Sequence, residues 1–428
     1  MRQMKDSRIE WIEGLPESWR EIPNRYLFVD NSTKVGENWK NYQLLSLTTS
    51  GVKQKDPNVG GGKVPESYET YQTVQVGDMV FCLFDLDCSA VFSGLSNYDG
   101  MITSAYDVFM PNGEYLDSLY ADYWFQYVFS NRYYNMYSKN LRYTITSEMF
   151  KSIFTPIPSL TEQRKIGEFL LRKDKQISEL IANQQAQIEK LKEYKQSIIT
   201  EAVTKGLDQS APMKDSGIAW IGEVPAHWDV KRTKFLAKSF SKGSGITKDD
   251  VVFDGDSPCV RYGEIYTKYN TYFDTCVTRT NLSNVVSPQY FSYGDILFVC
   301  TGELVEEIGK NVVYLGKDDC LAGGDIIIMK HNHNPLFLSF ALDHYISQCQ
   351  KSCNKAKLKV VHISAGDIGN VFICIPPIIE QQQIAEYLKQ KCDYINAMIA
   401  IKQQKIEKLQ EYKKSLIYEY VTGKKEVV

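Results

Sequence analysis

The segment EQRKIGEFLLRKDKQISELIANQQAQIEKLKEYKQSIITEAVT, residues 162–204, recurs without a gap as EQQQIAEYLKQKCDYINAMIAIKQQKIEKLQEYKKSLIYEYVT, residues 380–422. About half of the aligned positions are identical. In both copies apolar residues return at alternating steps of four and three residues, which is the heptad spacing of helices that pair along an apolar seam. The sequence therefore predicts two long helices with matching seams.

The seam residues occupy equivalent places in the two segments. They are Ile177, Ile181, Ile188, Leu191 and Ile198 in the first segment, and Ile395, Ile399, Ile406, Leu409 and Leu416 in the second. Polar residues interrupt both seams, at Gln184, Lys195, Lys402 and Lys413, and such interruptions fix the register of a helix pair at some cost in stability. Each helix could instead pack on its own globular domain. Antiparallel pairing is the simplest way to bury both seams, because the chain returns through a whole domain.

A second repeat precedes each of the two regions in which the halves of the chain diverge. Residues 4–28, MKDSRIEWIEGLPESWREIPNRYLF, recur at 213–237 as MKDSGIAWIGEVPAHWDVKRTKFLA. Traces of a common plan remain between the repeats, since VGDMVF at 76–81 is similar to YGDILF at 293–298. The chain is therefore an internal duplication whose ends are alike and whose middles vary.

The divergent regions have the composition of mixed helix and strand domains. Short runs rich in Tyr, Phe, Val, Ile and Thr, broken by Gly, Asn, Asp and Pro, predict strands and turns. Residues 117–138 and 335–352 instead show the apolar spacing of helices. We predict an α+β fold in which each domain is followed by a long helix, and the two helices pair as an antiparallel coiled coil with pseudo-twofold symmetry. The predicted segments are domains at 1–158 and 207–376, and helices at 159–206 and 377–428, the last with a tail.

The sequence offers no motif for catalysis or for a cofactor. The glycines of 302–311, GELVEEIGKN, are wrongly spaced for a phosphate loop, and the chain has no G-x-S-x-G or H-E-x-x-H motif. No C-x-x-C pair occurs, so we expect no metal site. Cys82, Cys88, Cys300 and Cys374 lie in apolar runs, where we expect buried reduced thiols. No apolar stretch has the length of a signal peptide or a membrane span, so we expect a cytoplasmic protein.

The order of the repeated motifs resembles one family, the specificity subunit of type I restriction-modification systems. The resemblance spans essentially the whole chain. It rests on W-I-G-x-x-P-x-x-W at 220–228 with its variant at 11–19, P-P-I-I-E-Q-Q-Q-I at 376–384, the repeated helix ends I-E-K-L-x-E-Y-K-x-S-x-I-x-E-x-V-T at 188–204 and 406–422, and YGDILFVCTG at 293–302.

This resemblance implies a non-catalytic DNA-recognition subunit. Its two target recognition domains would each read one half of a split sequence in double-stranded DNA, and the coiled coil would set the spacer between the halves. The implied partners are methylation subunits, which carry S-adenosylmethionine, and motor-nuclease subunits, which use Mg and ATP. The resemblance implies no cofactor, no metal and no membrane contact in this chain itself.

Basic and hydrogen-bonding side chains cluster in stretches that we predict to contact DNA. These residues are Arg132, Lys139, Arg142, Tyr143 and Thr144 in the first domain, and Arg261, Tyr262, Lys268, Tyr269, Lys355, Lys357, Lys359 and His362 in the second. Arg and Lys neutralise phosphates or pair with guanine, while Tyr and Thr donate and accept hydrogen bonds. The formal net charge of −3 is unusual for a lone DNA-binding protein, so we expect the methylation subunits to share the contacts with phosphate.

Three other functions remain open at this point. The chain could be the specificity subunit of a related methylase-only or fused restriction system. It could be a structural coiled-coil repeat protein without a role on DNA, in which case it would show no salt-dependent DNA binding. It could also be a self-contained methyltransferase or nuclease, which the absent motifs disfavour.

Overall fold

The protein divides into two compact units, each with one part of both long helices. The computed structural model describes residues 2–56, 67–138, 142–353 and 360–427. Unit 1 comprises residues 1–185 and 403–428, and unit 2 comprises residues 186–402. Unit 1 is therefore built from both ends of this sequence, whereas unit 2 is a single continuous segment.

Unit 1 is an α+β domain around an antiparallel sheet. Its strands are β1 (Met4–Lys5), β2 (Leu15–Pro16), β3 (Arg20–Pro23), β4 (Phe28–Asp30), β5 (Leu45–Thr48), β6 (Gly51–Gln54), β7 (Gln72–Val74), β8 (Met79–Phe81), β9 (Ser93–Leu95), β10 (Gly100–Ile102), β11 (Asp107–Pro111) and β12 (Phe154–Ile157). Its helices are α1 (Asn24–Leu27), α2 (Ser118–Ser130), α3 (Ser147–Ser152), the first part of α4 (Leu160–Lys205) and the last part of α9 (Ile378–Val421). The main sheet has the order β4-β11-β8-β9, and α2 packs beside β9.

Unit 2 repeats this plan with a larger mixed sheet. Its strands are β13 (Met213–Asp215), β14 (Glu223–Pro225), β15 (Asp229–Arg232), β16 (Ala237–Lys242), β17 (Ser257–Val260), β18 (Tyr272–Phe273), β19 (Thr278–Thr280), β20 (Tyr290–Phe291), β21 (Ile296–Val299), β22 (Thr301–Gly302), β23 (Asn311–Tyr314), β24 (Cys320–Ala322), β25 (Ile326–His331), β26 (Val361–His362) and β27 (Phe372–Ile375). Its helices are the last part of α4, α5 (Tyr262–Thr267), α6 (Pro335–Asp343), α7 (Tyr345–Ser352), α8 (Ala365–Gly369) and the first part of α9 (Ile378–Val421). The sheets have the orders β16-β25-β21-β23-β18 and β19-β17-β24-β20.

The same strand ladder closes both domains just before the long helix. In unit 1, β3 pairs with β12 so that Arg20 faces Ile157. In unit 2, β15 pairs with β27 so that Asp229 faces Ile375. In the sequence repeat Arg20 is equivalent to Asp229, and Ile157 is equivalent to Ile375. The duplication therefore extends to the register of the strand pairing.

A buried glutamine at the start of each long helix explains the repeated Glu-Gln dipeptide. The Gln163 amide donates hydrogen bonds to the carbonyl oxygens of Tyr115 (2.8 Å) and Pro158 (3.0 Å), and its oxygen accepts one from the backbone N–H of Asp117 (2.8 Å). Gln381 repeats this arrangement, donating to Pro376 O at 2.9 Å and accepting from the backbone of Asn334 at 3.0 Å. Each glutamine thus attaches its long helix to the loop before the main domain helix.

The repeated tryptophans join the beginning of one long helix to the end of the other. The Trp19 indole N–H donates to Glu162 at 3.3 Å, at the start of α4, and Gly423 lies against the Trp19 ring at the end of α9. In unit 2 the Trp228 indole donates to Glu380 at 2.8 Å, while Gly206 packs on its ring. Gly206 and Gly423 both have positive φ angles, 78° and 69°, which favour glycine at a helix C-terminus.

The long helices pair in an antiparallel manner within each unit, as the sequence predicted. In unit 1 the Phe169 and Tyr420 rings lie 4.5 Å apart, and Asp174 forms an ion pair with Lys413. In unit 2 Gln187 accepts a hydrogen bond from Lys402, and Lys195 donates to Asn396 at 2.9 Å. In each unit the residue number therefore rises along one helix as it falls along the other.

The seam residues lie on the buried face of this pairing. Ile177, Ile188, Ile198, Ile395, Ile406 and Leu416 are buried, and Ile181, Leu191, Ile399 and Leu409 are half-buried. Of the polar interruptions, Gln184 is buried, while the lysines reach acceptors on the other helix. These polar contacts define the register, because a shift of either helix would leave half-buried ammonium groups without acceptors.

Two sequence expectations need adjustment. The segments 117–138 and 335–352 do form helices, but each is interrupted, at Arg132 by a left-handed backbone (φ 55°) and at His344 by an extended one. Cys82, Cys300 and Cys374 are buried as predicted, whereas Cys88 is exposed because its N–H bonds Asp85 O in a surface turn.

Neither a membrane span nor a metal cluster is found in the described ranges. Among the residues outside 57–66, 139–141 and 354–359, no helix is long and apolar enough to cross a bilayer. The same residues contain no group of three or more His, Cys, Asp or Glu side chains arranged to hold a metal ion.

Candidate nucleic-acid interface

In each unit the chain that follows β8 (unit 1) or β21 (unit 2) lies beside a segment that precedes the last strand before the long helix. The Ile145 N–H donates to Leu83 O at 2.9 Å, and its repeat equivalent Ile363 donates to Cys300 O at 3.0 Å. We call these surfaces the paired loops. They comprise residues 83–89 with 142–145 in unit 1, and residues 300–310 with 360–363 in unit 2. Residues predicted to contact DNA lie in both pairs of loops, among them Arg142, Tyr143 and His362, and the two backbone contacts are equivalent.

Arg132 holds one of the paired loops of unit 1, residues 83–89. Its guanidinium donates to the carbonyl oxygens of Leu86 (2.6 Å) and Ser89 (3.2 Å) and lies 4.2 Å from the centre of the Phe129 ring. These contacts use the planar face and both terminal nitrogens of the side chain. Arg132 therefore positions the loop 83–89. Its positive charge contributes to the electrostatic potential at this surface, but its guanidinium is engaged within the protein.

Arg142 and Tyr143 are exposed on the same loops. Tyr143 is 39% exposed and has a positive φ of 47°, and its carbonyl accepts a hydrogen bond from Leu86 at 3.3 Å. Thr144 is half-buried, and Lys139 lies outside the described residues. Of the predicted residues of the first domain that the structure describes, Arg142 and Tyr143 are thus the most accessible.

The predicted residues around α5 of unit 2 have different roles. Tyr262 and Lys268 are exposed at the beginning and just after the end of the helix. Arg261 caps the helix, because its backbone N–H and its guanidinium both donate to Glu264, at 3.0 and 3.1 Å. Tyr262 and Lys268 can therefore present groups to a ligand, while Arg261 stabilises the helix that carries them.

Tyr269 does not fit the predicted role in DNA contact. Its side chain is 6% exposed and stacks on Phe273, with ring centres 4.2 Å apart. The hydroxyl oxygen accepts a hydrogen bond from the Val277 N–H at 2.9 Å. Burial raises the pKa of this phenol. Tyr269 therefore belongs to the domain core.

A cleft of about 690 Å³ lies between α5 and the paired loops of unit 2. Tyr262 and Thr301 line it, and the His362 ring lies beside it with Nδ1 3.2 Å from the Thr301 hydroxyl. Lys355, Lys357 and Lys359, which were predicted alongside His362, lie outside the described residues. The structure thus brings Tyr262 and His362, separated by a hundred positions in the sequence, to one opening.

The lining of this cleft is acidic, a feature that sequence analysis missed. Glu303, Glu306, Glu307 and Asp343 all contribute to it, opposite Lys310. Carboxylates repel phosphate but accept hydrogen bonds from the amino group of cytosine. The cleft is therefore suited to base edges more than to the DNA backbone. In the sequence, the segment 302–311 was considered only as a phosphate loop and rejected. Its position near His362 depends on the tertiary fold, which no local sequence pattern shows.

A buried polar cluster supports the floor of the cleft. The Lys351 ammonium donates to Gly309 O at 2.6 Å, and burial lowers its pKa to about 8. Burial raises the pKa of Asp343, an effect that the positive charges of Lys351 and Lys310 oppose. Burial also lowers the pKa of His344 to about 3, so this ring is neutral near pH 7. The cluster fixes the loop 300–310 against α7.

Comparison with known proteins relates part of the chain to one family. Residues 225–411 match the family described as the type I restriction modification DNA specificity domain. The chain is similar to this family over those residues, which are less than half of its length. The match lies mostly within unit 2, and the internal repeat relates unit 1 to it.

Two curated specificity subunits of Methanocaldococcus jannaschii are similar to the chain. The MjaVIII subunit is 23% identical over 310 residues, which are 65% of this chain and 64% of that protein. A protein named as the proposed MjaX subunit is 27% identical over 216 residues, 47% of each chain. The chain thus spans about half to just under two thirds of the length of the curated relatives that it matches.

A solved structure shares this fold. It is described as addressing complex assembly and conformational transition of the type I R-M system. One of its chains has a TM-score of 0.68 and 16% identity, with 96% of this chain and 99% of that chain covered. This likeness supports the α+β domains and the paired helices.

Proposed function

We propose that the chain reads DNA sequence within a restriction-modification complex, with each unit contacting one half of a bipartite target. The observation that carries this proposal is the repeated frame with unlike paired loops. Unit 1 exposes Arg142 and Tyr143, whereas unit 2 exposes Tyr262 and His362 around an acidic cleft. Different hydrogen-bonding surfaces at equivalent places would recognise different base sequences.

The charge of the chain supports a shared grip on DNA. The formal net charge is −3, and Arg132 and Arg261 use their guanidinium groups within the protein. Affinity for DNA depends largely on neutralised phosphates. We therefore propose that methylation subunits supply most phosphate contacts, while this chain supplies the discrimination between bases. Purified chain alone should bind its target weakly, and binding should tighten when methylation subunits are added.

We further propose that this chain contributes no catalytic step of its own. In this arrangement the methylation subunits hold S-adenosylmethionine and transfer the methyl group, and motor-nuclease subunits use ATP and Mg to cut. A methyl-transfer assay with labelled S-adenosylmethionine tests the division of roles. Activity should require both the chain and a methylation subunit, and methylation by the chain alone would contradict the proposal.

The decisive test is an exchange of the first variable region. Replacing residues 30–150 by the corresponding region of another family member should change one half of the methylated target and leave the other half unchanged. Sequencing that maps methylated bases gives the readout. Loss of specificity at both halves would count against separate reading by the two units.

The long helices are proposed to set the spacer between the two halves. An insertion of about one helical turn, near 5.4 Å, in α4 should change the preferred spacing and leave both half-sites intact. A library of targets with varied spacers, read by methylation mapping, measures this. Changed bases at an unchanged spacing would show that the helices do not act as a ruler.

A further inference from the structure

Phe253 is a fully exposed aromatic side chain on the loop before β17. It is 96% exposed, which exceeds every other large apolar side chain in the described residues. The loop has the sequence TKDDVVFDGDS, residues 247–257. An isolated exposed apolar residue is common on protein surfaces, so its significance depends on the loop that carries it.

The loop is held firmly against the neighbouring strand β19. The Arg279 guanidinium donates to Gly255 O at 2.6 Å and to Asp256 O at 3.0 Å. The Thr280 hydroxyl donates to Asp250 O at 2.7 Å. A Cβ at Gly255 would lie 2.6 Å from Thr280 O, so this close approach requires glycine. These contacts hold the backbone on both sides of Phe253, while its side chain stands in solvent.

The charges around Phe253 are predominantly negative. Asp249, Asp254 and Asp256 are exposed, with Lys248 as the exposed basic residue of the same loop. Such a surface repels phosphate. The loop also precedes β17, whereas Tyr262 follows this strand, so the two lie at opposite ends of it. Both observations favour a protein partner for Phe253 over DNA.

We propose that the loop 247–257 is a docking knob for the methylation subunit, with Phe253 inserted in an apolar pocket bordered by Lys or Arg. This inference rests on the proposed function, since it names a contact of the same complex. Aromatic anchors that fill a pocket dominate the energy of many protein interfaces. A preorganised loop adds affinity, because little conformational entropy is lost on binding.

Phe253→Ala tests the anchor, with Phe235→Ala as the matched control. Phe235 is also an exposed phenylalanine of unit 2, at 71%, but it lies beside Lys234 and outside the loop. Titration calorimetry with purified methylation subunit should show affinity weakened by about tenfold or more for Phe253→Ala and unchanged for Phe235→Ala. Equal affinities for wild type and Phe253→Ala would overturn the inference. Both side chains are exposed, so neither variant should disturb folding.

Asp254→Lys tests the basic border of the pocket. At low salt the reversed charge should weaken binding of the methylation subunit relative to the wild-type chain. The difference in affinity between the two proteins should shrink as the salt concentration is raised. Tighter binding by Asp254→Lys would contradict a pocket bordered by Lys or Arg.

A photo-crosslinking amino acid at position 253 identifies what the knob touches in the full complex on DNA. We expect crosslinks to the methylation subunit, and fewer from position 235. Crosslinks to DNA instead would overturn the inference and leave the proposed function standing. If wild-type chain forms no complex with the methylation subunit, the proposed division of roles fails together with the knob.

Discussion

Replacing Gln163 by alanine should destabilise unit 1 selectively. Gln163 is 0% exposed and makes hydrogen bonds with Tyr115, Pro158 and Asp117. A buried hydrogen bond contributes about 1 kcal/mol, so loss of all three should lower the free energy of unfolding of unit 1 by about 3 kcal/mol. The effect has a clear local marker, because the Asp117 N–H loses its acceptor.

Hydrogen-deuterium exchange measured by mass spectrometry resolves this effect by unit. At 1.4 kcal/mol per factor of ten, exchange of peptides around Asp117 should accelerate by about a hundredfold. Peptides around Asn334 in unit 2 should be unaffected. Gln176→Ala is the matched control, since Gln176 is an exposed glutamine of the same helix and should change stability by less than about 0.5 kcal/mol.

The repeat supplies a second control for the same reasoning. Gln381→Ala should accelerate exchange around Asn334 and leave the peptides around Asp117 unchanged. The reasoning is refuted if Gln163→Ala behaves like Gln176→Ala, or if each glutamine variant affects both units equally.

Two further predictions concern unit 1. Val421 is 0% exposed and is part of the core of unit 1. Val421→Ala should therefore lower the free energy of unfolding by about 2 kcal/mol and accelerate hydrogen exchange around Trp19 but not around Trp228. The opposite pattern would contradict the assignment of the end of α9 to unit 1. Burial raises the pKa of Asp122 to about 6, above the value of about 4 for an aspartate in the unfolded chain. The neutral carboxyl therefore contributes to the stability of the fold below about pH 4, and this contribution is lost as the pH rises through 6. In urea titrations, Asp122→Asn should therefore gain stability relative to wild type between pH 4 and pH 8, and a constant difference would argue against this burial.

The sequence was sufficient for the frame of the fold because its signals are periodic and repeated. The heptad seams predicted the antiparallel helices, and the alternation of strand-forming runs with turns predicted the α+β domains. The shared YGDILF-type segments lead into β8 and β21. Just before these strands, Asp78 and Asp295 each accept a hydrogen bond from the backbone N–H of the residue three positions earlier. Such local signals are readable because the interacting groups are neighbours in the chain.

The site could be predicted in part. Composition indicated the exposed Arg142, Tyr143, Tyr262 and Lys268. It could not show that Arg132 donates to a loop more than forty positions away, because that contact depends on tertiary packing. The acidic cleft was missed for the same reason, since its carboxylates come from separate segments.

The division of the chain also has a consequence for synthesis. Residues 186–402 leave the ribosome as one uninterrupted stretch, so unit 2 can fold while translation continues. Unit 1 cannot be completed at that stage, although most of it is made first, because Leu416, Ile417 and Val421 fill its core. Its apolar surface must wait, partly uncovered, until the segment that follows unit 2 has been made. The unit that begins before unit 2 is thus finished after it, and a chaperone would be needed most during that interval.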